Sequence, residues 1–225
     1  MTAFRLAVLG GTGPQGKGLA YRFAKAGHHV VIGSRDDARA SAAAAEIAAR
    51  LVQDPAHIIT GADNNSAAEE ADVVLLAVPF DGHAALVESL SKRLVGKVVI
   101  SCVNPLGFDK RGPYGLDVPD GSAAEEAQRI APDARMVGAF HHLSAVNLWG
   151  DADVLDHEDV LVCGDDKDAK AIAIELSRAI TGRDGIDAGA LRLARQLEPL
   201  TAVLISINKR YKVRSGLRVS GLAEH

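Results

Sequence analysis

Aromatic residues and cysteines are scarce in this chain. Of its 225 residues only 4% are aromatic and two are cysteines, which argues against an aromatic-rich β-sandwich and against a fold held together by disulfides. A chain of this length buries enough surface to fold without such cross-links. Cys102 and Cys163 lie in the apolar stretches VVISCV and VLVCG, where small buried thiols are favoured over a redox or metal role.

Long apolar runs and an excess of basic residues are also missing. No apolar run approaches the ~18 residues of a membrane span, and the first residues, MTAFRLAVLGG, lack the basic segment and the cleavage site of a secretory signal. We therefore expect a cytoplasmic protein with no membrane partner. The 25 Lys and Arg residues against 29 Asp and Glu leave a net charge of −4, which disfavours a general nucleic-acid binder without excluding a local basic patch.

What the chain does have is a regular alternation of short apolar segments with amphipathic helical segments. Strands are predicted at residues 4–9, 29–33, 58–60, 73–78, 97–102 and 135–140. Uniformly apolar strands that alternate with helices are typical of a parallel sheet covered on both faces. The sequence therefore predicts an α/β fold with a doubly wound, mostly parallel sheet.

Helix starts and loops complete this prediction. Two S-x-x-E sequences, which begin at Ser66 and Ser122, predict capping boxes at helix N-termini. Asp165 and Asp166 are interpreted as an N-cap rather than a cation site. The segment 104–121, rich in Gly and Pro, is predicted to be a loop.

The pattern changes after residue 140. A further strand is predicted at 160–164, a helix at 167–180 and a long helix at about 190–212. These pieces are too few for a core of their own. We therefore predict a dinucleotide-binding domain at residues 1–142 and a small helical C-terminal extension at 143–225, which packs on that domain and closes a substrate cleft.

The most informative motif follows the first strand. The run GGTGPQG contains G-x-G-x-x-G at Gly11, Gly13 and Gly16. The first glycine permits the tight turn, the second lets backbone N–H groups approach a pyrophosphate, and the third lets the helix lie close to the strand. Because strand, turn and helix all fall in the right order, the motif predicts a Rossmann-type dinucleotide site rather than a structural glycine turn.

The end of the second strand indicates which dinucleotide is bound. An acidic residue there would favour NAD, but the chain has Ser34 and Arg35 followed by Arg39. A hydroxyl and guanidinium groups suit a 2′-phosphate, which predicts NADP. The alternative is that both arginines are solvated and pair with Asp36 or Asp37.

Longer runs of the sequence resemble a known family. The opening VLGGTGPQGKGLAYRFAKAGHHVVIGSR, and the runs ADVVLLAVPF, VVISCVNPLG, MVGAFHHLSA, VLVCGDD and DAGALRLARQLEPLTAVLISIN, are similar to the NADPH-dependent reductases of the deazaflavin coenzyme F420. The resemblance covers nearly the whole chain. It implies direct hydride transfer between NADP(H) and F420.

The resemblance also implies roles for particular residues. By family pattern, the phosphate turn is Thr12, Gly13, Pro14 and Gln15; the 2′-phosphate pocket is Ser34, Arg35 and Arg39; the positions beside adenine, ribose or nicotinamide are Val78, His83 and Asn104; and the contact near the reacting rings is Ala145. The stretch 79–83 is one residue longer than the family pattern. This extra residue weakens the match of His83 to the family position.

Hydride transfer between two stacked rings needs positioning and exclusion of water rather than an acid, a base or a metal. We expect Thr12, Asn104 and His141 to orient the rings. Adjacent histidines on a strand point to opposite faces, so His141 and His142 are a poor metal pair; His141 is either structural or a ring contact.

The sequence is also compatible with two other functions. One is an NADPH-dependent reductase of a small carbonyl or imine, which needs a proton donor beside the substrate, and another is a module that binds NADP without turnover. The apolar C-terminal helix is expected to complete the cleft or to bury itself in a homodimer. Five basic residues near the C-terminus are either solvated or attract the phosphate and glutamate tail of F420: Lys209, Arg210, Lys212, Arg214 and Arg218.

Overall fold

The structure, a computed structural model, describes residues 3–51 and 59–222. The strands are β1 (Arg5–Leu9), β2 (His29–Ser34), β3 (Ile59–Asp63), β4 (Val73–Leu76), β5 (Val98–Ser101), β6 (Leu106–Asp109), β7 (Gly112–Gly115), β8 (Arg135–Gly138), β9 (Leu161–Gly164) and β10 (Ile186–Gly189). The helices are α1 (Pro14–Lys25), α2 (Asp37–Arg50), α3 (Asn64–Glu70), α4 (His83–Leu90), α5 (Ala123–Ile130), α6 (Ala145–Leu148), α7 (Lys167–Leu176), α8 (Arg178–Thr181) and α9 (Ala194–Tyr211).

Eight of these strands form one sheet, in the order β10-β9-β8-β5-β4-β1-β2-β3. The six strands from β3 to β8 in that order are parallel to their neighbours, β9 is antiparallel to β8, and β10 is parallel to β9. The parallel part has the strand order of the Rossmann fold. The predicted fold class is thus confirmed. Both strands that follow residue 142 join this same sheet.

The central strands are apolar throughout because helices cover both faces of the sheet. Every residue of β4 and β5 is buried. One hydrophobic cluster joins the sheet to α1, α2 and α7, and a second joins it to α3, α4 and α5. Burial on both sides explains why these strands read as continuous apolar runs instead of alternating ones.

Predicted helix starts are partly right. Ser122 caps α5 as predicted, since its Oγ accepts a hydrogen bond from the Glu125 backbone N–H at 3.1 Å, and Asp166 caps α7. The capping box at Ser66 is wrong: α3 begins earlier, and the Asp63 carboxylate accepts from the backbone N–H groups of Asn65 and Ser66. A carboxylate at the end of the preceding strand thus outcompetes the hydroxyl as the N-cap.

Several other boundaries also differ from the prediction. The segment predicted as a loop contains an antiparallel hairpin, β6–β7. The predicted helix at 167–180 is divided into α7 and α8, and the long C-terminal helix starts at Ala194 after a 3-10 turn, Leu191–Leu193. Of the strand predicted at 58–60, Ile58 lies outside the described residues. Within the described ranges, no helix combines the length and the apolar character that crossing a bilayer requires.

Candidate functional site

A cleft of about 810 Å³ runs along the edge of the sheet where β1, β2, β4, β5 and β8 end. Ligands of open α/β sheets bind at this edge. We call the region around the ends of β1, β2 and β3 the β2 end of the cleft. The region between the ends of β5 and β8 and helix α9 is the β8 end.

The glycine turn forms the floor of the β2 end. The N–H of Gly11 donates to the Val8 carbonyl at 3.1 Å and that of Gly13 to the Gly10 carbonyl at 3.0 Å, and α1 begins at Pro14 with no side chain capping its N-terminus. A Cβ added at Gly16 would lie 2.6 Å from the Gly10 carbonyl oxygen, so this glycine is needed for the turn to pack against the helix.

Gly13 differs from Gly16 in what surrounds it. A Cβ at Gly13 would meet only the Gly10 carbonyl oxygen, at 3.4 Å, so the protein's own packing does not require a glycine there. The residues Thr12, Gly13, Pro14 and Gln15 all line the cleft. The open space above the first N–H groups of α1 is therefore a cradle that fits a phosphate group.

Two arginine side chains lie just after the end of β2. Ser34, Arg35 and Arg39 line the cleft, and the Ser34 hydroxyl accepts a hydrogen bond from the Asp36 backbone N–H at 3.2 Å. The Asp36 carboxylate instead caps α2 through the Arg39 N–H. In the described part of the chain neither guanidinium forms an ion pair, so the alternative of pairing with Asp36 or Asp37 finds no support. Both guanidinium groups are exposed, and together they indicate a binding site for an anion.

Asn64 was missed by the sequence analysis. It follows β3, lines the cleft beside β2, and keeps a buried Oδ1 with no partner among the described residues. A Cβ at Gly33 would lie 2.9 Å from this oxygen, which places Asn64 against the end of β2. The predicted strand ends at residue 60, three positions short of Asp63; a strand that extends to Asp63 would have marked Asn64 as an edge residue.

At the β8 end, polar side chains hold the backbone that follows β8. The His141 carbonyl accepts hydrogen bonds from Asn104 Nδ2 at 2.8 Å and from Thr201 Oγ1 at 3.0 Å. The Phe140 carbonyl accepts one from Gln15 Nε2 at 3.3 Å. Phe140 has a φ of +64°, a strained conformation for a bulky residue that persists only where its surroundings fix it. The loop after β8 is thus held from three separate elements.

Two polar atoms at this end have no partner within the described chain: Asn104 Oδ1 and His141 Nε2. Both residues line the cleft. Burial lowers the pKa of His141 to about 3, so its imidazole is neutral at pH 7. Buried polar atoms are normally hydrogen-bonded, so the expected partner of each is a ligand or an ordered water.

The other predicted residues divide into two groups. Val78 and Ala145 line the cleft, but the structure does not bring His83 to the cleft wall. Its ring is fully buried, with Nδ1 3.0 Å from Glu126 Oε2 on α5 and its face on Phe80. Burial lowers the pKa of His83 despite this carboxylate.

Among the residues that the structure describes, His142 and the two cysteines do not form a metal site. The Nε2 of His142 lies 2.7 Å from the Asp159 carbonyl oxygen. Cys102 and Cys163 are free and buried, as predicted, and burial raises the pKa of each thiol to about 12. Across residues 3–51 and 59–222, no three His, Cys, Asp or Glu side chains cluster as metal ligands.

Helix α9 forms the remaining wall of the β8 end. Thr201, Leu204, Ile205 and Asn208 line the cleft, and their spacing of i, i+3, i+4, i+7 puts them on one helical face. Arg214, beyond the end of α9, lines the cleft as well. The sequence predicts this helix and shows Arg214 among five basic residues near the C-terminus, but the spacing alone does not show which helical face meets the cleft.

Comparison with known proteins agrees with this architecture. A family model described as "NADP oxidoreductase coenzyme F420-dependent" matches residues 5–105. The F420-dependent NADP reductase of Methanothermobacter marburgensis is 40% identical over 225 residues, which cover 98% of this chain and 100% of the relative. That of Methanocaldococcus jannaschii is 37% identical over 222 residues, covering 97% and 99%.

A solved structure shows the same likeness. The crystal structure of a protein assigned as an F420-dependent NADP reductase from Arthrobacter sp. FB24 superposes with a TM-score of 0.76 at 29% identity, and the match covers 97% of this chain and 100% of that one. Since the sequence identity extends from end to end of both chains in the curated relatives, and is not confined to the glycine turn, this chain belongs to the family of F420-dependent NADP reductases.

Proposed function

We propose that this chain transfers a hydride directly between NADP(H) and the deazaflavin coenzyme F420. The observation that carries the proposal is a single continuous cleft with two different ends. Within residues 3–51 and 59–222, one end has a phosphate cradle and guanidinium groups with no acidic partner, and the other has apolar walls with two unsatisfied polar atoms. Two flat ring systems fit such a cleft if one is attached to a phosphorylated nucleotide.

At the β2 end, the turn Thr12, Gly13, Pro14 and Gln15 would hold the pyrophosphate. Pro14 has no N–H and that of Gly13 donates to the Gly10 carbonyl, so the N–H groups of Thr12 and Gln15 would bind it. Ser34, Arg35 and Arg39 would bind the 2′-phosphate, and each charge-assisted hydrogen bond would contribute roughly 1.5–3 kcal/mol. Asn64, next to them, would offer its Oδ1 to a ribose hydroxyl. These contacts with the phosphates and the ribose would fix the position of the nicotinamide ring.

Val78 lines the cleft beside Gly10, and Cys102 and Ala145 line it at the β8 end. Also at that end are Asn104 and His141, whose Oδ1 and Nε2 have no partner among the described residues. These two side chains, with Thr12, would orient the rings, and the small or apolar neighbours would let the rings stack and exclude water. The bound pair supplies the chemistry itself, a hydride moving between nicotinamide C4 and deazaflavin C5. Residues 143–225, through α9, would close the cleft over the 1–142 domain.

Reduction of a carbonyl or imine is a weaker proposal because it needs a proton donor at the β8 end. Three buried titratable side chains line this end, and all are poor donors near pH 7. Burial lowers the pKa of His142, and its Nε2 lies 2.7 Å from the Asp159 carbonyl oxygen. His141 is neutral, with a pKa of about 3, and the Cys102 thiol has a pKa of about 12. Cys102 Sγ also donates to the Leu76 carbonyl at 3.0 Å, which occupies its proton.

The direct test is an assay with the purified protein, NADPH and oxidised F420, followed through the visible absorbance of the deazaflavin. We expect turnover with NADPH and much slower turnover with NADH. A cyclic imine and a small ketone, offered in place of F420, should not be reduced. NADPH binding without turnover of F420 would overturn the proposal and favour an NADP-sensing module.

We further propose that the chain forms a homodimer. Hairpin β6–β7 packs on α9, with Gly115 against Pro199, and both elements carry exposed apolar side chains. Phe108 on the hairpin is 68% exposed and Val203 on α9 is 52% exposed. Light scattering should give twice the chain mass of 23.5 kDa, and Phe108→Asp with Val203→Asp should give monomers. A wild-type mass of one chain would overturn this proposal.

A further inference from the structure

The chain after α9 folds back and is fixed to the protein. We call residues 212–222 the C-terminal tail. Lys212 has a φ of +57°, which reverses the chain, and the Ser215 backbone N–H and hydroxyl donate to Asn208 Oδ1 at 2.6 and 2.8 Å. Further along, the Val219 N–H donates to Asp159 Oδ2 at 2.8 Å. The tail is therefore a defined part of the structure.

These anchors place the tail at the β8 side of the molecule. Asp159 also donates its backbone N–H to the Leu217 carbonyl at 2.7 Å, and it lies just before β9. Because β9 is antiparallel to β8, its start lies at the edge where β8 ends. In the strand order, β9 is five positions from β2, which corresponds to roughly 24 Å at ~4.8 Å per strand. The anchor is thus far from Ser34 and Arg35.

Of the five basic residues near the C-terminus, Arg214 is the one that lines the cleft. Its guanidinium has no acidic partner in the described ranges; its Nη1 donates to the carbonyl of Val213 at 3.1 Å. The cleft therefore has cations at two places: Arg35 and Arg39 follow β2, and Arg214 lies on the tail. An NADP molecule held by the first pair leaves the third cation without an assigned anion.

We propose that Arg214 binds the phosphate of the side chain of the deazaflavin substrate, an inference that rests on the proposed function. The face of α9 that lines the cleft extends from Thr201 to Asn208. Thr201 contacts the loop after β8, and Asn208 accepts hydrogen bonds from the tail. Seven residues of helix span about 10 Å. The five-carbon chain that joins a deazaflavin ring to its phosphate has a similar length, so a ring at the β8 end would bring its phosphate to Arg214.

The test compares two acceptors that differ in the anion: F420, and the deazariboflavin that has the same ring and five-carbon chain but no phosphate. Steady-state kinetics are measured for the wild type and for Arg214→Ala, Arg214→Lys and Arg218→Ala. Arg218 is a matched control because it lies on the same tail, is exposed and does not line the cleft.

We expect Arg214→Ala to raise the KM for F420 about tenfold at low salt, and less as salt screens the charge. The KM for the deazariboflavin and for NADPH should not change, Arg214→Lys should recover part of the effect, and Arg218→Ala should resemble the wild type. An equal effect on both acceptors, an effect on NADPH instead, or no effect would overturn the assignment. If the wild type reduces neither acceptor, the proposed function itself fails; if it reduces both, only the role of Arg214 is in question.

Discussion

The two ends of the cleft are built in different ways. At the β2 end, the turn, Ser34, Arg35 and Arg39 come from fewer than forty consecutive residues, and backbone N–H groups and exposed cations provide the binding groups. At the β8 end, Asn104, His141 and Thr201 come from distant parts of the chain and meet through side chains that bind one backbone carbonyl. Apart from Asn64, the first end follows from local sequence, whereas the second depends on the whole fold.

The two ends should therefore respond differently to mutation. A local site loses ligand affinity when one residue changes, while the fold persists. An end assembled from distant elements loses its geometry when a contact between those elements is removed. Mutations at the two ends should therefore separate affinity from stability.

The largest effect is expected at Arg22, on the helix that begins in the glycine turn. Its buried guanidinium donates to five carbonyls in residues 147–153, which follow the β8 loop. Arg22→Met leaves these acceptors unpaired, and we expect a loss of about 3–5 kcal/mol in the free energy of unfolding. Chemical denaturation measures it. Arg50→Met, whose guanidinium lies over the Tyr21 ring, is the milder control; equal small losses would contradict this role.

The next effect concerns pH at the β8 end. Burial lowers the pKa of His141 from 6.5 to about 3, so between these values the unfolded chain binds a proton that the folded chain does not. The contribution of this group to the free energy of unfolding is fully present above pH 6.5. It is lost progressively as the pH falls from 6.5 toward about 3. The difference in unfolding free energy between the wild type and His141→Asn should grow by up to about 1.4 kcal/mol per pH unit from pH 4 to 6.

The comparison with His141→Asn is needed because the contribution of another buried group to the free energy of unfolding changes with pH in the opposite direction. Burial raises the pKa of Glu198 to about 7, although its carboxylate accepts from the N–H groups of Ala123 and Ala124. Its contribution falls as pH rises from about 4.5 to 7, and subtracting the variant removes it. Parallel pH profiles for the wild type and His141→Asn would contradict the buried neutral histidine.

At the β2 end, Gly13→Val should change affinity without changing the fold. The added side chain meets little protein, since a Cβ there approaches only one oxygen at 3.4 Å, but it fills the phosphate cradle. We expect the Kd for NADPH to rise at least about 100-fold, equivalent to about 2.7 kcal/mol, with a nearly unchanged Tm. Gly16→Ala is the counterpart: its Cβ clashes with backbone, so both Tm and affinity should fall. Calorimetry and titration distinguish the two.

The smallest effect is expected at Arg35. Removing one exposed guanidinium should weaken NADPH by roughly 10- to 100-fold and leave NADH nearly unchanged, because only the former has a 2′-phosphate. Fluorescence titration with both nucleotides checks this. Equal losses would remove the 2′-phosphate assignment, and Lys209→Ala, which does not line the cleft, should affect neither.

The same contrast explains what the sequence could predict. The fold class and the glycine turn were predictable because strand, turn and helix are contiguous and the central strands are apolar on both faces. Asn64 was missed because β3 extends beyond its apolar residues. The burial of His83 against Glu126 and the clamp on the His141 carbonyl depend on which helices meet over the sheet, and local patterns do not contain that information. Nor does the basic composition of residues 209–218 indicate that Arg214 alone of these five cations lines the cleft.

The central claim is that both ends of the cleft are occupied at once and that the hydride passes directly between the two rings. Reduction of F420 with NADPH that carries deuterium at the transferred position of C4 tests it, with mass spectrometry of the reduced deazaflavin. The account predicts one deuterium in that product in ordinary water. A product without deuterium, or one that takes deuterium only from heavy water, would contradict it.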